Sequence, residues 1–274
     1  SRGSQYLEDW GWIGSLTSIE QDAGYWVLAQ QDTMLTVRDA VPVNYDEDGE
    51  VYYELHAGNN LISYPFTTAI SLEDGLGSAA DSIIAILGEG VSGMNIDGNF
   101  VGSLQAFEGG GGYWMVSDIV PPINFSYINL SDNMSVEQQD HSVPEIYSYN
   151  QSTRQAFYFI DNITIVSDTL DSDDIILTYR DSVVVGARYW NGQFTDVPVM
   201  GFSDVAVEMT TGYCVIGDTV SFKLWNESSG KLLEMKSDTV ITWMNNGVSM
   251  HNLVQAIYGC MDDSACNYDA DSGA

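Results

Sequence analysis

The chain has 274 residues, 45% of them hydrophobic, and sets eight Lys plus Arg against 39 Asp plus Glu for a formal net charge of -31. That length suits two ordinary domains or three small ones, each with its own core. A surface this negative repels phosphate backbones and anionic lipid, which argues against nucleic acid and membrane surfaces as partners. No apolar run approaches the ~20 residues of a membrane helix, so direct membrane insertion is not expected. The N-terminus has no signal-peptide pattern, so a secreted protein would be represented here by a mature or excised piece. The charge has two compatible readings: solubility in a salty medium, where screening over roughly 3 to 10 Å removes most self-repulsion, or carboxylates that hold Ca²⁺.

Residues 1–40 contain little before a stretch that the chain uses twice. Trp12 to Leu28 reads WIGSLTSIEQDAGYWVL and Phe100 to Val116 reads FVGSLQAFEGGGGYWMV; the two align without a gap at a spacing of 88, with seven of 17 positions identical. The shared residues are Gly-Ser-Leu at 14–16 and 102–104, Glu20 with Glu108, and Gly-Tyr-Trp at 24–26 and 112–114. The pattern predicts a strand, a turn carrying the Glu, and a second strand beginning at Gly-Tyr-Trp. Adjacent Tyr and Trp point to opposite faces, so one ring belongs to the core and the other faces outward. Coverage of both rings by neighbouring modules is favoured over a sugar-stacking role. The second copy is preceded by structured-looking sequence and the first is not, so residues 1–40 read as the C-terminal half of a repeat. Either the chain was cut within a longer array or another chain supplies the front.

Residues 41–130 read as a complete module. Asn44, Asp46 and Asp48 followed by Gly49 have the spacing that opens a calcium loop, but position 55 is Leu where such a loop needs an acid, and a plain acidic turn is favoured. Val51 to Phe66 predicts two strands about a turn at residues 57–60. Ser71 with Asp74 forms a variant capping box that opens one short helix near 71–80, weakened by ~1 kcal/mol for each of Gly75 and Gly77. Ile83 to Leu87 is a buried strand, residues 88–98 are a glycine-rich connection, and Pro121-Pro122 closes the core before a final strand over Ile123 to Leu130. Residues 131–144 are polar and aperiodic, a linker.

Residues 145–254 alternate strand-like runs with turns: YSYNQ, AFYFIDNITIV, DIILTYR, SVVVGARYW, VAVEMTTGYCVI, VSFKLWNE, KLLEM and VITWM. Turn signals fall at 171–174, 191–192, 217–218 and 228–230. The spacing predicts an antiparallel sandwich. The whole chain is thus expected to be all-β, a tandem of antiparallel β-sandwich or barrel-like modules with one short helix. Cys214 reads as a small buried hydrophobe. Residues 255–274 are an acidic, cysteine-containing tail. Cys260 and Cys266 lack further Cys or His nearby to complete a zinc site; a disulfide between them is favoured and implies an oxidising compartment. Asp262, Asp263, Asp269 and Asp271 are either Ca²⁺ ligands or part of a flexible acidic tail, and no other cofactor is indicated.

Three groups of residues carry a resemblance. NLISYPF at 60–66, GEGV at 88–91, GSLQAFEGGGGYW at 102–114 and INFSY at 123–127 resemble a module repeated in large secreted proteins of marine, Bacteroidetes-like bacteria. YNQSTRQAFYFID at 149–161, VVVGARYW at 183–190 and DVPVMG at 196–201 are similar to a second module that travels with it, and GCMDDSACNYDADSGA at 259–274 is similar to cysteine repeats of the same proteins. The resemblance implies export, residence outside the cell or on its surface, and a larger precursor, without an agreed activity.

Catalysis is not expected. His56, His141 and His251 fall at a strand end, in the linker and at a domain end, with no nucleophile motif beside any of them. The function expected is that of a non-enzymatic structural or adhesive module, a building block of a surface stalk, fibre or matrix. It would associate with itself head-to-tail or with other modules of the array, with strand complementation of the first module. The alternative is a carbohydrate-binding module that stacks polysaccharide on Trp190, Trp225 and Trp243.

Overall fold

The computed structural model describes residues 3–20, 23–29, 34, 51–127, 142–166 and 168–257. In chain order its elements begin with strands β1 (Ser4–Leu7), β2 (Gly11–Gly14), β3 (Tyr53–Leu55), β4 (Gly58–Ser63) and β5 (Ile70–Ser71). Helix α1 (Leu72–Leu76) follows and tightens into a 3₁₀ stretch over Gly77–Ser82. Next come β6 (Ile83–Leu87), β7 (Ser92–Ile96), β8 (Asn99–Gly102), β9 (Ala106–Phe107), β10 (Gly112–Ser117) and β11 (Ile123–Phe125). The last seven strands are β12 (Gln155–Thr164), β13 (Ile175–Arg180), β14 (Val183–Tyr189), β15 (Thr195–Met200), β16 (Ser221–Asn226), β17 (Lys231–Ser237) and β18 (Val248–Gln255). The chain is therefore mostly β, as the alternation predicts, and it divides into two compact units.

The first unit comprises residues 1–84 and 106–136. Antiparallel pairs β4–β10, β3–β11 and β5–β9 carry it. Along β10 the alternate residues Tyr113, Met115 and Ser117 are buried, as period 2 requires. Tyr53, Tyr64, Phe66, Phe107, Tyr113, Phe125 and Tyr127 form a nest of rings, mostly edge to face, with Phe125 and Tyr127 centroids 4.8 Å apart. Such pairs contribute about 0.5 to 1.5 kcal/mol each beyond burial. The Ser71 cap forms as predicted: its Oγ accepts from the Asp74 N–H at 3.1 Å and donates to Asp74 Oδ2 at 2.9 Å. Gly75 has a packing reason to sit in a helix, since a Cβ there would lie 2.9 Å from the Phe107 ring.

The second unit comprises residues 85–105 and 137–274. Residues 85–105 belong to this unit, and hydrogen bonds hold them to the later strands. The Asp196 carboxylate, buried on β15, accepts from the backbone N–H and hydroxyl of both Ser92 (3.2 and 2.8 Å) and Ser103 (2.8 and 2.7 Å). Arg188 donates to the Gly90 carbonyl at 2.6 Å, and Gln155 Nε2 donates to the Gly88 carbonyl at 2.7 Å. The glycine-rich connection read from sequence is thus stapled down by buried charged and amide groups.

The core of this unit is one seven-stranded sheet, in the order β14-β13-β16-β17-β18-β12-β15, curled into a nearly closed barrel. Ala156, Tyr158, Ile160, Val197, Val199, Phe222, Leu224, Leu233, Trp243 and Leu253 belong to its main apolar cluster. The pairing is antiparallel except between β12 and β18, which run parallel, a departure from the all-antiparallel expectation. Two strands of this seven-stranded sheet have no counterpart among the runs read from sequence. Pro198 disguises β15, yet proline fits there because β15 ends the sheet order, with its ladder to β12 on one side only; β18 is too polar in its first half to register. Conversely, the apolar run 205–216 is not a strand. Thr210 diverts it into turns, its hydroxyl donating to the Ala206 carbonyl at 2.8 Å and accepting from the Ser203 N–H at 3.0 Å.

The seam between β14 and β15 is joined by side chains. Arg188 Nε of β14 donates to the Asp196 carbonyl at 2.9 Å, and from β13 the Thr178 hydroxyl reaches past Gly186 to donate to the Pro198 carbonyl at 3.0 Å. Gly186 makes the approach possible, because a Cβ there would fall 1.7 Å from the Pro198 oxygen.

Candidate functional site

The two copies of the repeated stretch share one turn and its closure. In the first, the Ala23 N–H reaches the Glu20 carbonyl at 3.4 Å and the Tyr25 hydroxyl accepts from the Glu20 N–H at 2.8 Å. In the second, the Gly111 N–H reaches the Glu108 carbonyl at 2.9 Å and the Tyr113 hydroxyl accepts from the Glu108 N–H at 2.9 Å. The tyrosine therefore closes the turn five residues before it, which explains why Glu and Gly-Tyr-Trp keep their spacing. Even a defect is shared: the indole nitrogens of Trp26 and Trp114 are both buried without a partner among the described residues. Of the adjacent rings, the tyrosine is the core residue in the second copy; burial pushes the Tyr113 hydroxyl pKa up, opposed in part by the Glu108 N–H it accepts from.

What differs is cover. Phe107 and Met115 of the second copy are 0% exposed and Phe100 is 8% exposed; the matching Ile19, Val27 and Trp12 of the first are 73%, 67% and 72% exposed. The reason lies in pairing. Residues 112–117 form β10 against β4, whereas 24–28 join no strand ladder among the described residues. The Gly24 side of the first copy is backed by the first unit itself: a Cβ on Gly24 would lie 3.0 Å from the Ile62 carbonyl oxygen, and one on Gly112 would lie 3.7 Å from Gly24 Cα. Tyr25 is half-buried and Val27 is exposed. The first copy thus shares the turn of the second and leaves Trp12, Ile19 and Val27 exposed, and it is the candidate functional surface.

The sugar-stacking tryptophans do not form a platform. Trp243 is 1% exposed and its indole N–H donates to the Val199 carbonyl at 3.0 Å, so neither ring face is available, which corrects the expectation for that residue. Trp190 is half-buried against the same barrel core. Trp225 packs with a different cluster, tilted against Tyr147 at 6.1 Å, its indole donating to Glu227 Oε2 at 2.7 Å. Asn44, Asp46, Asp48, Cys260, Asp262, Asp263, Cys266, Asp269 and Asp271 lie outside the described residues, as does His141. Among the described residues no group of three His, Cys, Asp or Glu side chains could hold a metal ion. Cys214 is buried, as expected, and its thiol pKa is pushed up to about 12, chiefly by burial.

One polar cluster had no sequence signal beyond a Ser two residues before a His. His251 Nε2 lies 2.7 Å from Ser249 Oγ, and its Nδ1 lies 3.2 Å from Thr239 Oγ1 and 3.4 Å from Asp238 Oδ1. Thr239 is nearer to the ring than Asp238, whose other oxygen accepts from Asn252 at 3.0 Å. The ring stands edge-on to Tyr158. The cluster acts as a clasp that holds residues 238–239 onto β18.

Comparison of the chain with protein-family models, with curated proteins and with solved structures yields no match. The reading of the site rests on its own geometry.

Proposed function

We propose that this chain is a non-enzymatic building block of an extracellular structure, a surface stalk, fibre or matrix assembled from β-modules. The observation that carries the reading is the contrast between the two repeat copies: one turn and tyrosine closure used twice, with the apolar positions covered in the second copy and open in the first. A repeat copy with exposed apolar side chains is suited to joining modules end to end, because β-structure with an open apolar face gains free energy when another segment completes it. The net charge of -31 supports residence in a salt-rich medium, and the resemblance to secreted module arrays points the same way. The polysaccharide alternative now rests on Trp190 and Trp225 alone.

Immunogold labelling of intact source cells with antibodies to the purified chain tests this reading. Label on the cell exterior or on shed surface material is the expected result; label confined to the cytoplasm would overturn it.

A further inference from the structure

We infer that the outer wall of the barrel carries a binding strip for an uncharged saccharide, made by Tyr147, Trp225 and Leu232 and edged by Lys223, Glu227 and Glu234. All six residues belong to the second unit. The inference goes beyond the building-block reading and does not rest on it.

The registers place these side chains on one face. On β16 and β17 the paired residues Phe222 with Met235 and Leu224 with Leu233 belong to the barrel core. Their neighbours, Lys223 opposite Glu234 and Trp225 opposite Leu232, therefore point outward. On the next strand, Ile175 lies opposite Trp225 and Leu177 opposite Lys223, and both belong to a second apolar cluster, apart from the core, against which Trp225 packs. Tyr147, at the end of the 3₁₀ turn over Glu145–Tyr147, packs on the same cluster with its ring 6.1 Å from that of Trp225. Trp225 and Tyr147 are half-buried, and Leu232 is 41% exposed. Trp190 and Trp243 pack on the barrel core instead, so the positions of the tryptophans alone do not mark the strip.

The polar edge is held in place before any ligand arrives. The Trp225 indole N–H donates to Glu227 Oε2 at 2.7 Å, and Lys223 Nζ lies 2.6 Å from Glu234 Oε1 and 5.0 Å from the centre of the Tyr179 ring. A carboxylate offers about four acceptor sites, so Glu227 and Glu234 keep capacity for hydroxyl donors while their positions are already set, which lowers the ordering cost of binding. A pyranose presents C–H groups on its faces and hydroxyls around its rim, the complement of aromatic and leucine surface beside fixed acceptors. Charge decides against other occupants. Two carboxylates beside one ammonium, on a chain of net charge -31, repel an acidic sugar or a phosphate. A protein partner fits poorly, because the buried centre of a protein interface is depleted in Lys and Glu, and here those residues stand directly beside the apolar ones.

Native electrophoresis of the intact chain tests this, in gels cast with a soluble mixed-linkage β-glucan, a galactomannan or an arabinoxylan, and with polygalacturonate as the anionic counterpart. Retardation by at least one neutral polymer and none by polygalacturonate is expected. Trp225→Ala should weaken that binding about tenfold or more. Because Trp225 also packs on the outer apolar cluster, a second variant, Leu232→Asp/Glu234→Ala, changes only exposed side chains. It should lose the retardation while keeping the far-ultraviolet circular dichroism of the parent. Trp10→Ala/Trp12→Ala, which removes two exposed rings elsewhere, should bind as the parent does. No retardation by any neutral polymer would overturn the inference, as would retardation that survives both strip variants or that is lost in the Trp10/Trp12 variant. Equal retardation by polygalacturonate would overturn the assignment to an uncharged ligand. The outcome is separable from the surface labelling above: retardation with cytoplasmic label would keep the strip and discard the structural role, and the converse would do the reverse.

Discussion

Tyr127 brings a hydroxyl into the ring nest of the first unit and finds no partner for it among the described residues. Burial is the main reason that its pKa rises well above the usual tyrosine value, with Tyr53 and the neighbouring phenols adding to it. A buried unpaired hydroxyl costs about 1 to 3 kcal/mol, and phenylalanine fills nearly the same space. Tyr127→Phe is expected to raise the urea midpoint, by an amount equivalent to about 1 kcal/mol; a loss of stability would show that the hydroxyl is satisfied. His251 makes a second prediction, in pH. Burial lowers its pKa from the ordinary 6.5, with Asp238 opposing the shift. The unfolded chain then binds the proton more readily than the folded one, so the stability contribution is complete above the unfolded pKa and is lost as pH falls from there through the folded value. Melting temperatures recorded from about pH 7.5 to about pH 5 should fall less steeply for His251→Leu than for the parent, and parallel curves would contradict the assignment.

Among the elements, the barrel seam is the most exacting. Gly186 lies so close to Pro198 that even one methyl must push β14 and β15 apart. Gly186→Ala should therefore cost about 2 to 3 kcal/mol, read as a lower denaturant midpoint; an unchanged midpoint would mean that the seam breathes enough to admit a side chain. The sequence made the short helix legible because Ser71 and Asp74 act locally, and the turns at 171–174 and 228–230 for the same reason. It left β15 illegible, because whether Pro198 is tolerable depends on which side of the strand lacks a ladder, a property of the whole sheet. The repeat was legible as identity, and the tyrosine closure gives that identity a cause. The uncovering of Ile19 and Val27 was only half legible: the sequence suggested a missing front, while the exposure of those side chains is a matter of which strands have partners.

For the whole molecule, the excess of 39 acids over eight bases sets the conditions under which the fold is comfortable. At about 10 mM salt the screening length is ~30 Å and most carboxylates feel one another; at about 150 mM it is ~8 Å. The melting temperature is expected to climb across that interval with plain NaCl, and a further rise with equimolar Ca²⁺ at matched ionic strength would reveal specific cation binding. A flat response to NaCl would mean that the charges are locally compensated.

The parallel pairing of β12 with β18 carries a consequence for how the second unit comes into being. These strands are the first and last of the barrel, at Gln155–Thr164 and Val248–Gln255, and β12 lies between β18 and β15 in the sheet. Until the ribosome has delivered residue 255, β12 has one neighbour and Ile160 and Ile163 lack half of their cover. Ring closure over some ninety residues must precede most of the apolar reward, a loop-closure cost typical of slow folders. The barrel is therefore expected to fold after its chain is complete, guarded in the interval by its own negative charge.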